Sequence, residues 1–387
     1  GGQIMPPIMG AAAFLMVDYV SLPYSNIVVR AILPAVLYFT GIFISVHLEA
    51  KKLGLRGIPR DQLPKWGLLA RDCYLILPLI LLVWLVSSGA KTMSHSAAYS
   101  ILAAIAVGLV NFFLTRMRDA EEKSAKTAVR AIGGALADSG RSAVDSLEAG
   151  AKGAITVAVA CAMAGIIAGC ITVTGLASIL INAIVQLAGN ATFIGLILTM
   201  VCCIILGMGM PVPAAYVLTA TLAAPALLEF KFSLMSAHLF IVYFSAISAI
   251  TPPVAVAAYA AAGISEGDPN ATGVQAVRLA VAAYIVPFVF MYRPALILDG
   301  SLPEILWTAV VATAAVYSFA SGLEGYLHGR LRFPLRLALM AAGVVFVWPD
   351  TWADLTGFAI LGAVTAHQYA IRKNNPDPVC LAQPQGE

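Results

Sequence analysis

Charged residues are scarce in this 387-residue chain. Asp, Glu, Lys and Arg make up 11% of the sequence, whereas apolar residues make up 60%. The mean hydropathy is +0.89. A soluble protein of this length needs a larger charged surface, so the composition predicts a polytopic membrane protein. The net charge is only +3, and the chain lacks the long basic tract that a partner nucleic acid would require.

Motifs for catalysis and metal binding are lacking as well. The six cysteines have no metal-ligand spacing, and the five histidines are isolated, without an HExxH motif. The apolar stretches contain no cluster of acid–base residues, which argues against an intramembrane enzyme. We therefore predict a protein that is not an enzyme. The chain begins without a Met or a signal peptide, and we expect it to be the C-terminal fragment of a longer protein.

Apolar runs suited to crossing a bilayer recur along the chain. They lie at 27–48, 72–88, 97–115, 153–173, 235–262, 276–298, 304–320, 337–349 and 354–370, with a further candidate at 4–19. Most lysines and arginines lie in or beside 51–71, 116–152, 263–278, 321–336 and the tail from Arg372. Placing these segments in the cytoplasm satisfies the positive-inside rule, so the pattern predicts the orientation of every span.

This orientation requires residues 192–228 to enter and leave the membrane on the outer side. We predict a re-entrant helical hairpin there, with its tip at the sequence Gly-Met-Gly-Met-Pro-Val-Pro, residues 207–213. Stretch 174–190 would then lie near the outer surface or extend the preceding helix. If 174–190 spans the membrane instead, three arginines end up outside, namely Arg330, Arg332 and Arg336.

Two proline doublets interrupt apolar helices, at Pro6-Pro7 and at Pro252-Pro253. A proline has no amide hydrogen, so it leaves the carbonyl four residues earlier without its helical donor. The affected carbonyls belong to Gly2, Gln3, Ser248 and Ala249. Bare carbonyls at a helix break, together with nearby hydroxyl groups, suit a hard cation such as Na⁺. Simple proline kinks in membrane helices are the alternative interpretation.

In the predicted orientation, the two helical segments that contain the doublets cross the membrane in opposite directions. Opposite orientation is typical of an inverted repeat, in which transporters bind substrate and ions between two broken helices near the midplane. At the hairpin tip, Gly207 and Gly209 each lie four residues before a proline, so their carbonyls should also be exposed. The helix that begins near Pro211 points its positive end at the tip, which suits a carboxylate. A plain Gly-Pro turn between spanning helices is the alternative.

These patterns give two sets of candidate site residues. We predict sodium ligation, through backbone carbonyls and hydroxyls, around Gly2, Pro6, Gly207, Ser248, Thr251 and Pro252. We predict substrate contacts around Pro7, Gly209, Pro211, Pro213 and Pro253. Arg293 lies at the end of an apolar segment, and we expect its side chain to extend to the membrane interface.

Four motifs together resemble the large permease subunit of TRAP transporters, and they are most similar to the TAXI branch, whose permease is often fused. The motifs are GGQIMPPIMGAAAF (1–14), VHLEAKKLGL (46–55), GMGMPVPAAYVL (207–218) and SAITPPVAVAAYAAAG (248–263). The resemblance extends from Gly1 to about Gly300. It implies an all-α, inverted-repeat, elevator-type secondary transporter in the cytoplasmic (inner) membrane of a bacterium or archaeon.

The resemblance also implies partners. An extracytoplasmic binding protein would deliver an organic-acid anion, such as a dicarboxylate, and Na⁺ symport would drive its import. A small membrane subunit, or a fused region preceding Gly1, would be needed, because the first repeat here retains only its broken helix. Rival interpretations are another inverted-repeat anion transporter that needs no binding protein, an intramembrane enzyme, or a channel.

The expected organisation of the chain has five parts. They are the end of the first repeat (1–50), scaffold or connecting spans (51–115), a cytoplasmic amphipathic connector (116–152), the second repeat with hairpin 192–228 and broken helix 235–262 (153–300), and extra C-terminal helices with a cytoplasmic tail (301–387).

Overall fold

In the part of the chain that it describes, the computed structural model consists of helices joined by turns and short irregular segments. That part comprises residues 1–6, 9–55, 72–87, 93–121, 144–152, 173–189 and 191–374, with isolated positions at 57, 59, 67, 140–141 and between 155 and 170. No β-strand occurs within these residues. Among the predicted features, Pro7, much of the connector 116–152 and most of run 153–173 lie outside them.

The described residues form fourteen α-helices, numbered here in chain order. They are α1 Gly10–Val20, α2 Tyr24–Lys52, α3 Leu77–Ser87, α4 Met93–Glu121, α5 Leu176–Ala188, α6 Thr192–Gly207, α7 Val212–Glu229, α8 Leu234–Ile247, α9 Val256–Ser265, α10 Pro269–Leu279, α11 Ala282–Tyr292, α12 Leu302–Glu324, α13 Phe333–Val345 and α14 Thr351–Asn374.

Within the described residues, four segments are long and apolar enough to cross a bilayer. They are Tyr24–Lys52, Val212–Glu229, Pro269–Tyr292 and Leu302–Glu324. A helix rises about 1.5 Å per residue, so about 20 residues are needed to span a hydrocarbon core of about 30 Å. The prediction of an all-α polytopic membrane protein is confirmed.

The chain divides into two compact units, one of residues 57–159 and the other of residues 1–56 and 160–387. In the first unit, α3 packs against α4, and the Tyr74 hydroxyl donates a hydrogen bond to Asn111 Oδ1 over 2.7 Å. The second unit contains both proline doublets and the predicted hairpin, so the candidate site lies there.

The core of the second unit is built around α7 and α8. Both helices are covered on nearly all sides, and the largest side chains inside are aromatic, including Tyr216, Phe240 and Tyr243. Glycine allows close helix crossings around this core. A β-carbon on Gly41 of α2 would stand 2.2 Å from the Ala282 β-carbon of α11, so only glycine allows α2 to approach α11 so closely at this position.

Several helix boundaries differ from the sequence prediction. Stretch 174–190 does not extend the preceding helix, because α5 begins after Gly175 (φ 72°) and ends before Gly189 (φ 54°), and its position near the outer surface stays a prediction. Glycine adopts positive φ without penalty, so these two residues delimit a separate helix. α5 packs against both α6 and α7. The predicted span 276–298 in fact begins earlier, at Pro269, where the Asp268 side chain caps α10.

Candidate functional site

The hairpin consists of α6 and α7, joined by a tight turn. Gly209 in the turn has φ 74°, a conformation that favours glycine. Pro211 is extended, and α7 starts at the next residue, with Pro213 in its first turn. Proline is tolerated there because the first helical amides have no intrahelical partner in any case. The sequence therefore encodes the turn directly.

The second proline doublet breaks a helix, as its sequence suggests. α8 ends at Ile247, a single 3-10 turn covers Ser248–Ile250, and helical structure resumes only at Val256 in α9. Pro252 packs against Gly273 of α10, where an added β-carbon would lie 3.2 Å from Pro252 Cγ. The broken segment is therefore supported by a neighbouring helix, as irregular backbone inside a membrane requires.

The hairpin tip and this helix break are in contact. A β-carbon on Gly207, the last residue of α6, would come within 2.6 Å of Ser248 Oγ. On the other side of the tip, Gly209 lies next to Val254, with 3.5 Å from an added β-carbon to Val254 Cγ1. The structure thus brings the predicted residues Gly207 and Gly209 to the same helix break as Ser248, which lies 41 and 39 positions after them in the sequence.

At the hairpin tip and at the helix break, the carbonyls of Gly207 and Ser248 each accept a hydrogen bond, contrary to the sequence prediction. The Gly207 carbonyl accepts a hydrogen bond from the Met210 amide, and the Ser248 carbonyl accepts one from the Thr251 amide, both at 3.3 Å. In each case the hydrogen bond joins residues three positions apart, as in a 3-10 turn, and not four as in an α-helix. The amide three positions later therefore replaces the donor that proline removes. The prediction that these carbonyls have no donor is therefore wrong. Each keeps a second lone pair with which it can bind a cation.

Hydroxyl groups lie between the hairpin and the broken helix. Ser248 donates to the Ser245 carbonyl over 2.7 Å, and the Ser245 hydroxyl lies 3.0 Å from that of Thr219 in α7. Thr251 donates to the Ile247 carbonyl and lies 2.7 Å from the Tyr284 hydroxyl of α11. Sequence reasoning missed Thr219 and Tyr284. Thr219 could have been found from the sequence, because it is a polar residue in the otherwise apolar helix α7. No sequence feature distinguishes Tyr284.

Residues 1–6, which end with the first proline of the doublet, form an irregular turn before α1. The amides of Ile4 and Met5 both donate to the Gly1 carbonyl over 3.0 Å. Gly1 packs against Tyr38 of α2, and no atom lies within 4 Å of a β-carbon added at Gly2. Tyr38 lies on α2 near Gly41, which contacts Ala282 of α11, two residues before Tyr284, the residue bonded to Thr251. The contact between α2 and α11 thus links the first motif to the second helix break.

An aromatic cluster joins α1 to the hairpin and to the broken helix. The Tyr216 hydroxyl of α7 lies 2.8 Å from Nδ1 of His238 in α8. Tyr19, near the end of α1, packs against both rings, with centroid distances of 5.7 Å to Tyr216 and 5.5 Å to His238. The two motif-bearing helices, α1 and α8, are therefore held together by polar aromatic side chains.

Arg293 does not extend to the membrane interface, so that prediction is wrong. Its side chain is 8% exposed and forms two hydrogen bonds to the Asp354 carboxylate, of 2.6 and 3.2 Å. Burial of a guanidinium is tolerated when a carboxylate pairs with it in this forked geometry. Asp354 lies 61 positions away, beyond any local signal in the sequence.

Comparison with known families gives one match to this chain. The sequence model described as "Tripartite ATP-independent periplasmic transporter, DctM component" matches residues 1–305. Comparison with curated proteins and with solved structures gives no significant match. The matched region includes both proline doublets and the whole hairpin, and it covers more than three-quarters of the 387 residues. The chain therefore belongs to the DctM family, the large permease component of tripartite ATP-independent transporters.

Proposed function

We propose that this chain is a Na⁺-coupled permease that imports an organic-acid anion handed over by an extracytoplasmic binding protein. Membership of the DctM family makes it a component of a three-part secondary transporter in a membrane. The coupling ion, the substrate class and the delivery step are our proposal. The TAXI branch remains a prediction from sequence motifs alone.

The contact between Gly207 and Ser248 carries the sodium part of the proposal. It places the Ser248 hydroxyl beside Gly207 and brings together two turns in which a carbonyl accepts from the amide three residues later, and Thr251 belongs to the second of these turns. Oxygen ligands of this kind, neutral and held by two interrupted helices, suit a monovalent hard cation. A Na⁺ ion bound between them would hold the hairpin tip against the break.

The start of α7 supports an anionic substrate. This helix begins at the hairpin tip, and no side chain caps its first turn. The amides at a helix N-terminus and the helix dipole both favour negative charge. A carboxylate placed at the tip would therefore be stabilised next to the proposed cation, and each ion would strengthen binding of the other.

The contacts of the two motif-bearing segments support an inverted repeat. Tyr19, at the end of α1, packs on His238, at the start of α8. Gly1, at the opposite end of the first motif, packs on Tyr38 of α2, three residues before Gly41, which contacts Ala282 of α11. Two residues further along α11, Tyr284 packs on Phe244 near the end of α8. These contacts support two segments that run in opposite senses, as in transporters with inverted repeats.

The test is uptake by the full-length permease, reconstituted into liposomes with its other components. We expect accumulation of a labelled organic acid when an inward Na⁺ gradient and the binding protein are both present. An inward K⁺ gradient of equal size is the control and should give no accumulation. Uptake that needs no binding protein would favour the rival transporter class, and accumulation independent of Na⁺ would overturn the coupling.

A further inference from the structure

The helices α12 to α14 are an addition to the family core. The DctM match ends at residue 305, so α13, α14 and all but the first turn of α12 lie beyond it. These helices pack on one another, and α12 also packs along α2 and α11. Close contacts without intervening side chains hold them together, as at Gly343, where an added β-carbon would lie 2.7 Å from Phe319 Cβ.

A buried ion pair fastens this C-terminal extension to the end of α11. Arg293 pairs with Asp354, which is itself 3% exposed, and Trp307 Nε1 donates a third hydrogen bond to that carboxylate over 3.0 Å. The backbone carbonyl of Trp348 accepts a further hydrogen bond from the Arg293 guanidinium. The guanidinium thus binds both the Trp348 carbonyl in the loop between α13 and α14 and the Asp354 carboxylate in the first turn of α14.

The loop held in this way reaches the hairpin. The Trp348 ring stacks on Tyr292, with centroids 5.9 Å apart and planes 17° apart. The same ring also contacts Phe193 in the first turn of α6, with a centroid distance of 5.0 Å and the two planes 41° apart. Beside Phe193, the Thr192 hydroxyl lies 3.0 Å from the Tyr292 hydroxyl. A residue of the extension therefore touches the base of the hairpin, at the end opposite its tip.

We propose that Trp348 is a positioning residue that holds the base of the hairpin against α11, so that the C-terminal extension controls how readily the hairpin moves during transport. The inference rests on the proposed function and on the elevator-type motion implied by the family resemblance, in which the hairpin would change position relative to α11. The buried pair of Arg293 with Asp354 is the fixed anchor, and the contacts of Trp348 with Phe193 are the part that separates.

Aromatic contacts of this kind are weak enough to open and strong enough to bias a two-state equilibrium. Loss of one such contact changes the ratio of the two positions by about two- to tenfold. Because the contact exists only where the hairpin base is docked, its removal lowers the population of the docked position.

The test measures the position of the hairpin through the distance between two spin labels. The method is pulsed electron paramagnetic resonance on the full-length permease in lipid nanodiscs. Spin labels replace Ile194 on α6 and Leu355 on α14, which are both exposed, after the six native cysteines are changed to alanine. We expect Trp348→Ala to enlarge a longer-distance component by about two- to tenfold. Trp348→Phe keeps a ring in place and should restore most of the docked population.

Trp352→Ala is the matched control, because Trp352 lies four residues away and its side chain is 76% exposed. It should leave the distances unchanged. Phe193→Leu removes the same contact from the hairpin side and should reproduce the effect of Trp348→Ala. This second variant keeps the test valid if Trp348→Ala fails to fold. Identical distances in wild type, Trp348→Ala and Phe193→Leu would overturn the proposal.

Transport by the same variants separates this inference from the proposed function. If the wild type shows Na⁺-driven uptake, Trp348→Ala should change the maximal rate by a similar factor and leave the half-saturating substrate concentration nearly constant. An unchanged maximal rate in an active system would refute the role of Trp348 alone. A wild type without Na⁺-driven uptake would refute the proposed function, while the distance measurement would still report on the contact.

Discussion

Gly207 and Ser248 approach so closely that there is no room for a side chain between them. A β-carbon on Gly207 would lie 2.6 Å from Ser248 Oγ and 3.0 Å from Ser248 Cβ. This approach holds the last turn of α6 against the point where α8 ends. The hairpin tip and the helix break therefore form one structural feature.

A methyl group at Gly207 should push the tip away from the break. We expect Gly207→Ala to reduce Na⁺-driven uptake at least about tenfold and to destabilise the protein by about 1–3 kcal/mol through overpacking. The measurements are uptake and thermal unfolding of the purified protein. Gly263→Ala in α9 is the matched control, because no atom lies within 4 Å of its added β-carbon. Equal uptake by the two variants would show that the close approach is dispensable.

Thr251 is predicted to bind the cation, and a set of three substitutions separates this role from simple packing. Thr251→Val removes the hydroxyl that bonds Ile247 and Tyr284, and we expect the apparent Na⁺ affinity to fall about tenfold, as the loss of one ligand oxygen suggests. Thr251→Ser should retain that affinity. The measurement is the Na⁺ dependence of uptake.

Tyr284→Phe is the informative comparison with Thr251→Val. It removes the hydrogen bond to Thr251 but keeps the Thr251 hydroxyl, so we expect a loss of about 1 kcal/mol in stability with little change in Na⁺ affinity. Should both variants weaken Na⁺ binding equally, Thr251 would act through its hydrogen bonds and would not be a ligand.

The ion pair of Arg293 with Asp354 should matter more for stability than any surface pair. Asp354→Asn leaves the buried guanidinium without its counter-charge, and we expect about 3–5 kcal/mol of destabilisation in thermal or denaturant unfolding. Arg30 and Asp299 offer a comparison, because their pair is 3.7 Å long and partly exposed. Arg30→Gln should lower the free energy of unfolding by no more than about 1 kcal/mol. Similar losses of stability in Asp354→Asn and Arg30→Gln would show that burial does not make the ion pair of Arg293 more important.

The bond between Tyr216 and His238 should stabilise the packing of α7 on α8. Tyr216→Phe leaves a buried imidazole nitrogen without its partner, and we expect about 1–3 kcal/mol of destabilisation. The double variant Tyr216→Phe/His238→Leu removes both polar groups and should recover part of that loss. If the double variant is as unstable as the sum of the single changes, measured by unfolding, the two groups do not act as a pair.

The helix break at the second doublet and the turn between α6 and α7 were predictable because they depend on local chemistry, whereas the re-entrant position of the hairpin stays a prediction. The doublet at Pro252-Pro253 and the turn at Gly209-Met210-Pro211 impose backbone constraints that hold in any fold. The family follows from the same motifs, and the match to DctM confirms it. Which predicted residues bind Na⁺ or substrate stays a prediction, since no ligand contact tests it.

The partners of single side chains were not predictable, because they depend on packing between distant segments. Tyr284 lies 33 positions from Thr251, and Asp354 lies 61 positions from Arg293. An arginine at the end of an apolar run has the same local sequence whether it faces lipid or a carboxylate. The carbonyls of Gly207 and Ser248 illustrate a second limit, since a tightened turn replaced the missing donor without any change in sequence pattern.

The most direct test of a sodium site at the hairpin tip is the melting temperature of the purified permease in NaCl and in KCl at equal ionic strength. Binding to the folded state alone stabilises it, by about 2.7 kcal/mol when the ion is at a hundred times its Kd. We predict a higher Tm in NaCl, with most of the difference lost in Thr251→Val and retained in Thr251→Ser. Equal Tm values for the wild-type protein in the two salts, at every concentration up to saturation, would contradict a sodium site between Gly207 and Ser248.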